Sequence, residues 1–250
     1  ERGVGEDPKA VALWETLARL HREAGHHEAL LRVLVASSAQ IDDRDAVVAA
    51  AEEALALCKD KLGDPAQAVP ILERAVALAP EQRALRLALA DGLRVSGKLA
   101  EARAVLEAVL QEYGRRQSRE RAALHLQIAT VARAEKNPEL AAQHLDQAAG
   151  VLLDSIDVQL ALAEVAEERG DLERAEKAYR ALLVLSRRSH GEGAMTAGEV
   201  LVRLRRLAIT QKQQAQANEN LESLVARALH DPVEARRIQA ALLADGDSDT

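Results

Sequence analysis

The chain has 250 residues, a net charge of −7, and aromatic side chains amounting to 1% with no Phe. That balance argues against a nucleic-acid platform, which needs basic patches and stacking rings. With 48% hydrophobic and 29% charged residues, neither a disordered polymer nor a membrane-spanning bundle fits. A core without Phe has to be made of Leu, Ala and Val seams, which suits packed helices better than a deep catalytic pocket.

In chain order, a polar lead-in at 3–7 ends in Asp7-Pro8, a residue pair suited to a helix N-cap and first turn. Helix-period segments then alternate with turns centred on Gly25, Gly63, Gly97, Lys136, Gly170 and Lys212. Eight residues before the first five turns stand Leu17, Leu55, Leu89, Ile128 and Leu162, each followed by Ala: Ala18, Ala56, Ala90, Ala129 and Ala163. Five residues after them come Leu30, Ala68, Ala102, Ala141 and Ala175, and four further on Leu34, Leu72, Leu106, Leu145 and Tyr179. Two short amphipathic helices joined by a tight turn, repeated in tandem, account for all of these positions. The small residues mark where helices approach closely, and the large ones fill the space opposite. Glycine at the turn supplies left-handed backbone, and Pro65 and Pro138 fall where a helix's first turn leaves its N–H groups unbonded anyway.

The predicted repeats span 11–44, 49–82, 83–116, 122–155, 156–189 and 198–231, within one domain of 1–250. The sixth is degenerate, with Arg205 in the Ala position and Lys212 at the turn. Asp231-Pro232 opens a capping helix over 232–243, and 244–250 form an acidic tail. The turns are 38, 34, 39, 34 and 42 residues apart. Extra residues at 37–44, 113–119 and 187–198 suggest that a two-repeat module was duplicated.

This frame resembles the tetratricopeptide repeat, a helix–turn–helix unit of about 34 residues with large apolar, Ala and Pro positions in fixed order. Residues 49–80 fit best, through Leu55-Ala56, Gly63-Asp64, Ala68, Leu72, Ala75 and Pro80, while Trp14 keeps the family's aromatic in the first unit. Ala replaces the family's first Gly throughout, and the likeness is to arrays in large bacterial proteins. The resemblance implies an all-α, right-handed α-solenoid, a superhelix of stacked helix pairs. Its first helices would line a concave, partner-binding surface. By frame that surface takes Arg19, Leu57, Leu87, Asp91, Arg94, Leu126, Arg133, Leu160 and Glu164, with Val95, Thr130 and Glu168 beside them. Leu87 and Leu126 are expected to be exposed there. The Lys/Asn pattern by which some family members clamp a carboxylate is missing: Glu15, Arg19, Glu53, Leu57, Leu87 and Asp91 stand at the corresponding positions.

Other chemistry finds little footing. The cluster His21, His26 and His27 reads as one inward ring and a decorated turn, not as converging metal ligands. Cys58 sits in a helix seam with no adjacent His, so it reads as a buried small hydrophobe. No phosphate loop, nucleophile elbow or H-E-x-x-H motif occurs, and Gly191-Glu192-Gly193 lacks strand–helix context. Adjacent acids such as Glu52-Glu53 and Glu167-Glu168 diverge by about 100° on a helix and cannot form an acid–base couple.

The expectation is therefore a non-enzymatic scaffold that binds a partner peptide, helix or small domain, needs no metal or cofactor, and neither enters a membrane nor binds nucleic acid. The alternative is a spacer or self-assembling rod, associating through its ends. The opening Glu1-Arg2-Gly3 is not a signal peptide, and the single Cys favours a reducing, cytoplasmic setting.

Overall fold

A computed structural model describes residues 11–188 and 196–210. Within them are eleven α-helices and no strand. The lead-in, the sixth turn at Lys212 with its second helix, Gly191 to Met195, the capping helix and the tail lie outside the described residues. Contacts divide the chain into two compact units, Glu1–Arg115 and Arg116–Thr250.

Unit 1 holds three helix pairs: α1 (Val11–Glu23) with α2 (His27–Ser38), α3 (Arg44–Leu57) with α4 (Val69–Leu78), and α5 (Arg83–Val95) with α6 (Leu99–Glu112). Unit 2 holds α7 (Arg119–Ala134) with α8 (Pro138–Ala149), α9 (Ile156–Glu168) with α10 (Leu172–Arg188), and α11 (Ala197–Thr210). Within each unit the second helix of a pair also packs on the first helix of the next, as α4 does on α5 and α8 on α9. Each unit is thus an all-α solenoid of stacked helix pairs.

The turns follow the frame. Gly25, Gly63, Gly97 and Gly170 have φ of 66°, 69°, 80° and 73°, and Lys136, at 59°, is the one described non-glycine with positive φ. In four of these turns the next N–H bonds back to the carbonyl five residues earlier, as Lys98 to Leu93 and Asp171 to Ala166 (both 2.9 Å). That bond closes a helix whose last carbonyls would otherwise be unpaired. The following helix is capped from within the turn: Asn137 accepts from the Leu140 N–H and Asp171 from the Arg174 N–H. The frame's packing positions after the turn are all buried: Leu30, Ala68, Ala102, Ala141 and Ala175, then Leu34, Leu72, Leu106, Leu145 and Tyr179.

Repeat two departs from the frame. Cys58–Leu62 forms a π-turn between α3 and Gly63, and a short 3-10 turn, Pro65–Ala68, precedes α4. A π-turn holds one residue more than the α-helical path it replaces. Everything before it is therefore displaced by one position relative to the turn. The structure buries Ala51, Ala54 and Cys58, while Leu55 is only half-buried and Ala56 is exposed. The predicted Leu55-Ala56 seam is corrected to Ala51 and Ala54. The helix itself starts at Arg44, ahead of the repeat boundary expected at 49.

Candidate functional site: the first-helix faces

In each unit the first helices of successive repeats are tied side by side by charged side chains. In unit 2, Arg133 on α7 reaches across to α9, where its Nε donates to Glu168 Oε1 at 2.6 Å and its Nη1 to Glu164. Desolvation pulls the Arg133 pKa down, but its hydrogen bonds to Glu168 and Glu164 and their charges outweigh it, and the net shift is upward. Glu167, one residue from Glu168, turns elsewhere. It accepts from the buried Tyr179 hydroxyl at 3.2 Å and lies 3.7 Å from Arg203 on α11. Burial raises the Tyr179 pKa, and the adjacent Glu167 charge adds to the shift. The two neighbouring carboxylates thus serve different partners, as their angular separation requires.

In unit 1 the equivalent link is Arg22 on α1 to Glu53 on α3, a two-pronged contact of 2.7 and 2.8 Å. Asp91 and Arg94 pair along α5 at 2.8 Å. Such half-exposed pairs contribute little stability, about 0.2–1 kcal/mol each. Their consequence is geometric, because they hold long side chains in one arrangement on the first-helix face of each unit.

Of the predicted face residues, the structure brings Arg133 and Glu164 together and pairs Asp91 with Arg94. Arg19 is exposed on α1, whereas its neighbour Arg22 makes the link between helices. The apolar members differ from expectation. Leu57, Leu87, Leu126 and Leu160 are half-buried, and Leu126 and Leu160 rest against the unit 2 core. Of these, Leu87 and Leu126 were expected to stand in solvent. In unit 2, Leu126 and Leu160 underlie the face on which Thr130 is exposed, and in unit 1 Val95 is 45% exposed.

Two features escaped the sequence frame. The first is a histidine pair 19 residues apart: His125 Nδ1 on α7 and His144 Nδ1 on α8 are 2.9 Å apart. His125 is buried, and its Nε2 has no hydrogen-bond partner. Burial, the His144 ring and Arg121 lower its pKa to about 4, so it is neutral at pH 7. It occupies the inward position that is Trp14 in repeat one, Arg86 in repeat three and Gln159 in repeat five. The second is a cleft of about 660 Å³ between the α8–α9 connection and α10, lined by Leu153, Leu162, Lys177 and Ala178 among others. No predicted face residue lines it.

The histidines near the first turn separate. His21 is half-buried and stacks at a tilt on His26, 5.9 Å between centroids. His27 opens α2 instead of lying in the turn. Among the described residues no three His, Cys, Asp or Glu side chains converge. Cys58 is buried, and burial, reinforced by Asp64, raises its thiol pKa, which makes it a weak nucleophile. No described helix is long and apolar enough to cross a membrane.

Residues 61–127 match the family model described as Tetratricopeptide repeat. Over those residues the chain carries tetratricopeptide-repeat sequence. Solved structures agree on the fold of a tetratricopeptide array. MamA from Desulfovibrio magneticus RS-1 aligns with a TM-score of 0.53 at 18% identity, covering 71% of this chain and 95% of that one. YrrB, described as a TPR protein with an unusual peptide-binding site, gives 0.54 at 15% identity over 79% and 92%. PilF of Pseudomonas aeruginosa gives 0.52 at 18% identity over 94% and 99%. No curated protein matches the chain by sequence.

Proposed function

We propose that this tetratricopeptide-repeat chain is a non-enzymatic interaction scaffold whose first-helix faces hold a partner's peptide, helix or small domain. The observation that carries this reading is the α7–α9 face of unit 2. There Arg133, Glu164 and Glu168 are fixed by one another, Leu126 and Leu160 form an apolar floor, and Thr130, one helical turn after Leu126, is exposed. A face whose long side chains are already ordered loses less entropy when a partner binds. With no aromatic side chain among the predicted face residues to act as a hot spot, micromolar affinity is expected, about −8 kcal/mol. The peptide-binding site named for YrrB supports the class of ligand.

The test is affinity capture with mass spectrometry, using the native chain beside Thr130→Asp for unit 2 and Val95→Asp for unit 1. Both positions are exposed, so neither substitution reaches the core, and circular dichroism confirms equal helicity. A protein retained at least tenfold better by the native chain than by one of the variants identifies the partner and the face. Equal retention by all three moves binding to the second helices or connections and ends this reading. The second reading, a spacer or self-assembling rod, draws on a different observation, the open leucines of α1.

A further inference from the structure

The middle first helix of unit 2, α9, carries four carboxylates, Asp157, Glu164, Glu167 and Glu168, and no Lys, Arg or His along Ile156–Glu168. Asp157, Leu160, Glu164 and Glu168 stand at i, i+3, i+7 and i+11, which places them in a stripe along one side of the helix. Asp157 and Glu168 are exposed, and Leu160 and Glu164 are half-buried.

Two guanidinium groups reach these four acids. Arg133 of α7 bridges Glu164 and Glu168, and Arg203 of α11 lies 3.7 Å from Glu167. Asp157 has no cationic partner among the described residues. Arg169, next in the chain after Glu168, turns away to Glu139 on α8. The α11 positions that match Asp157 and Glu164 in the repeat are Glu199 and Arg206, one of each sign. Four carboxylates against two guanidinium groups leave two negative charges in excess on this face. The links of unit 1 are balanced, with Arg22 on Glu53 and Arg94 on Asp91.

Negative charge beside an apolar floor selects its ligand. Nucleic acid and anionic membrane surfaces are repelled. A bare metal ion finds no gap between Glu164 and Glu168, because Arg133 already occupies it. A cation set against Asp157 and another against Glu164 and Glu168 would meet the charges that the fold leaves over, and Leu126 and Leu160 would take an apolar side chain between them. Seven residues of helix separate Asp157 from Glu164, a rise of about 10 Å. An extended chain covers that distance in about three residues.

We infer that the α7–α9 face receives a basic segment of a partner protein, in which two Lys or Arg side chains about three residues apart flank an apolar one. This rests on the reading of that face as the partner-binding surface, and adds to it the sign and spacing of the partner's charges.

The probe is the acetylated and amidated peptide Gly-Lys-Leu-Ala-Lys-Gly, titrated calorimetrically into the full chain at low salt. Two relatives accompany it, one with Glu for both lysines and one with Gly for Leu. The basic peptide should bind at least about tenfold more tightly than the acidic one, and at least about threefold more tightly than the one without Leu. Asp157→Lys should weaken its binding at least about fivefold. Glu173→Lys makes the same change of charge at the matching second residue of α10, off the face, and its effect should stay within about twofold. Both side chains are exposed, so neither change reaches the core. No binding of the basic peptide, no preference for it over either relative, or equal losses from the two reversals overturns the inference. Equal losses would mean that only the net charge of −7 attracts.

Affinity capture separates this inference from the reading beneath it. Thr130→Asp sets a carboxylate over the apolar floor, whereas Asp157→Lys alters the charge at the end of the stripe. A partner that the basic peptide releases from the native chain, and that Asp157→Lys fails to retain, bears the inference out. A partner lost with Thr130→Asp yet kept by Asp157→Lys overturns it and leaves the face as the binding surface.

Discussion

The first helices of repeats two and four reach their turns by different routes. In repeat four, α7 runs regularly to Ala134, and Lys136 is forced into left-handed backbone, φ 59°. In repeat two, α3 passes into the π-turn Cys58–Leu62 before Gly63 adopts the same conformation without a side chain to strain it. The seam is equally buried in both, by Ala51 and Ala54 in one and Ile128 and Ala129 in the other. One repeat has absorbed an additional residue in the backbone, and the other has accepted an unfavourable residue at the turn. The array evidently conserves the seam and lets the helix end adjust.

Single-residue deletions would break this comparison most sharply. Removing Lys59 takes one residue from the π-turn and brings Ala54 to eight and Cys58 to four residues before Gly63, the spacing of Leu89 and Leu93 before Gly97. Lys59 is exposed, so its deletion should change stability by less than about 1 kcal/mol. Removing Ala134, also exposed, offers repeat four no such slack. It rotates Ile128, Ala129 and Ala132 by about 100° relative to the turn and α8, and should cost about 3 kcal/mol or more. Urea unfolding of the two deletions settles the matter. Equal losses would mean that the π-turn is not an absorbed insertion.

This difference also explains what could be read from the residues alone. Counting from turn to turn located all five described turn residues, Lys136 included, because left-handed backbone and the small–large alternation behind it are local demands. The same counting misplaced Ala56, because a π-turn alters the count without altering composition. The half-burial of Leu126 and Leu160 depends on the core each unit packs beneath them, and the bridge from Arg133 to Glu164 and Glu168 spans two helices about 31–35 residues apart in sequence. Neither the His125–His144 contact nor the cleft beside Leu153 has a periodic signature. A polar residue at the inward position of repeat four is visible in sequence, but its partner on α8 is not.

The inward position sharpens the comparison through pH. Two Nδ1 atoms 2.9 Å apart can share one proton as donor and acceptor, but two N–H groups cannot face each other. Protonating both rings at these atoms would break the contact, and whichever tautomer His125 adopts, its buried Nε2 has no partner. Its folded pKa of about 4 lies below the usual value of 6.5. The unfolded chain therefore takes up the proton first as pH falls. The associated stability is complete above about pH 6.5, declines as pH drops and is gone near pH 4, a loss on the order of 2 kcal/mol. His125→Gln, which places in repeat four the residue that repeat five carries as Gln159, should flatten the slope between pH 6.5 and 5. Repeat two, with alanines along its seam, has no titratable counterpart there. A slope unchanged in His125→Gln would place the titration elsewhere.

The smallest expected effect returns to the turn of repeat four. A side chain in left-handed backbone costs about 1–2 kcal/mol, and glycine gives back part of that through the greater freedom of the unfolded chain. Lys136 is exposed, so its replacement removes no packing. Lys136→Gly should therefore stabilise the protein by about 0.5–1 kcal/mol. The reverse change can be made at Gly170, where an added Cβ would meet nothing within 4 Å and only the backbone term would be felt. Gly170→Ala should cost about 1 kcal/mol. Paired changes of opposite sign in thermal unfolding would isolate the conformational cost of the turn from packing. If Lys136→Gly gave no gain, Lys136 would have to be making a compensating contact that glycine loses, and the contrast with Gly63 would lie in side-chain contacts and not in backbone strain.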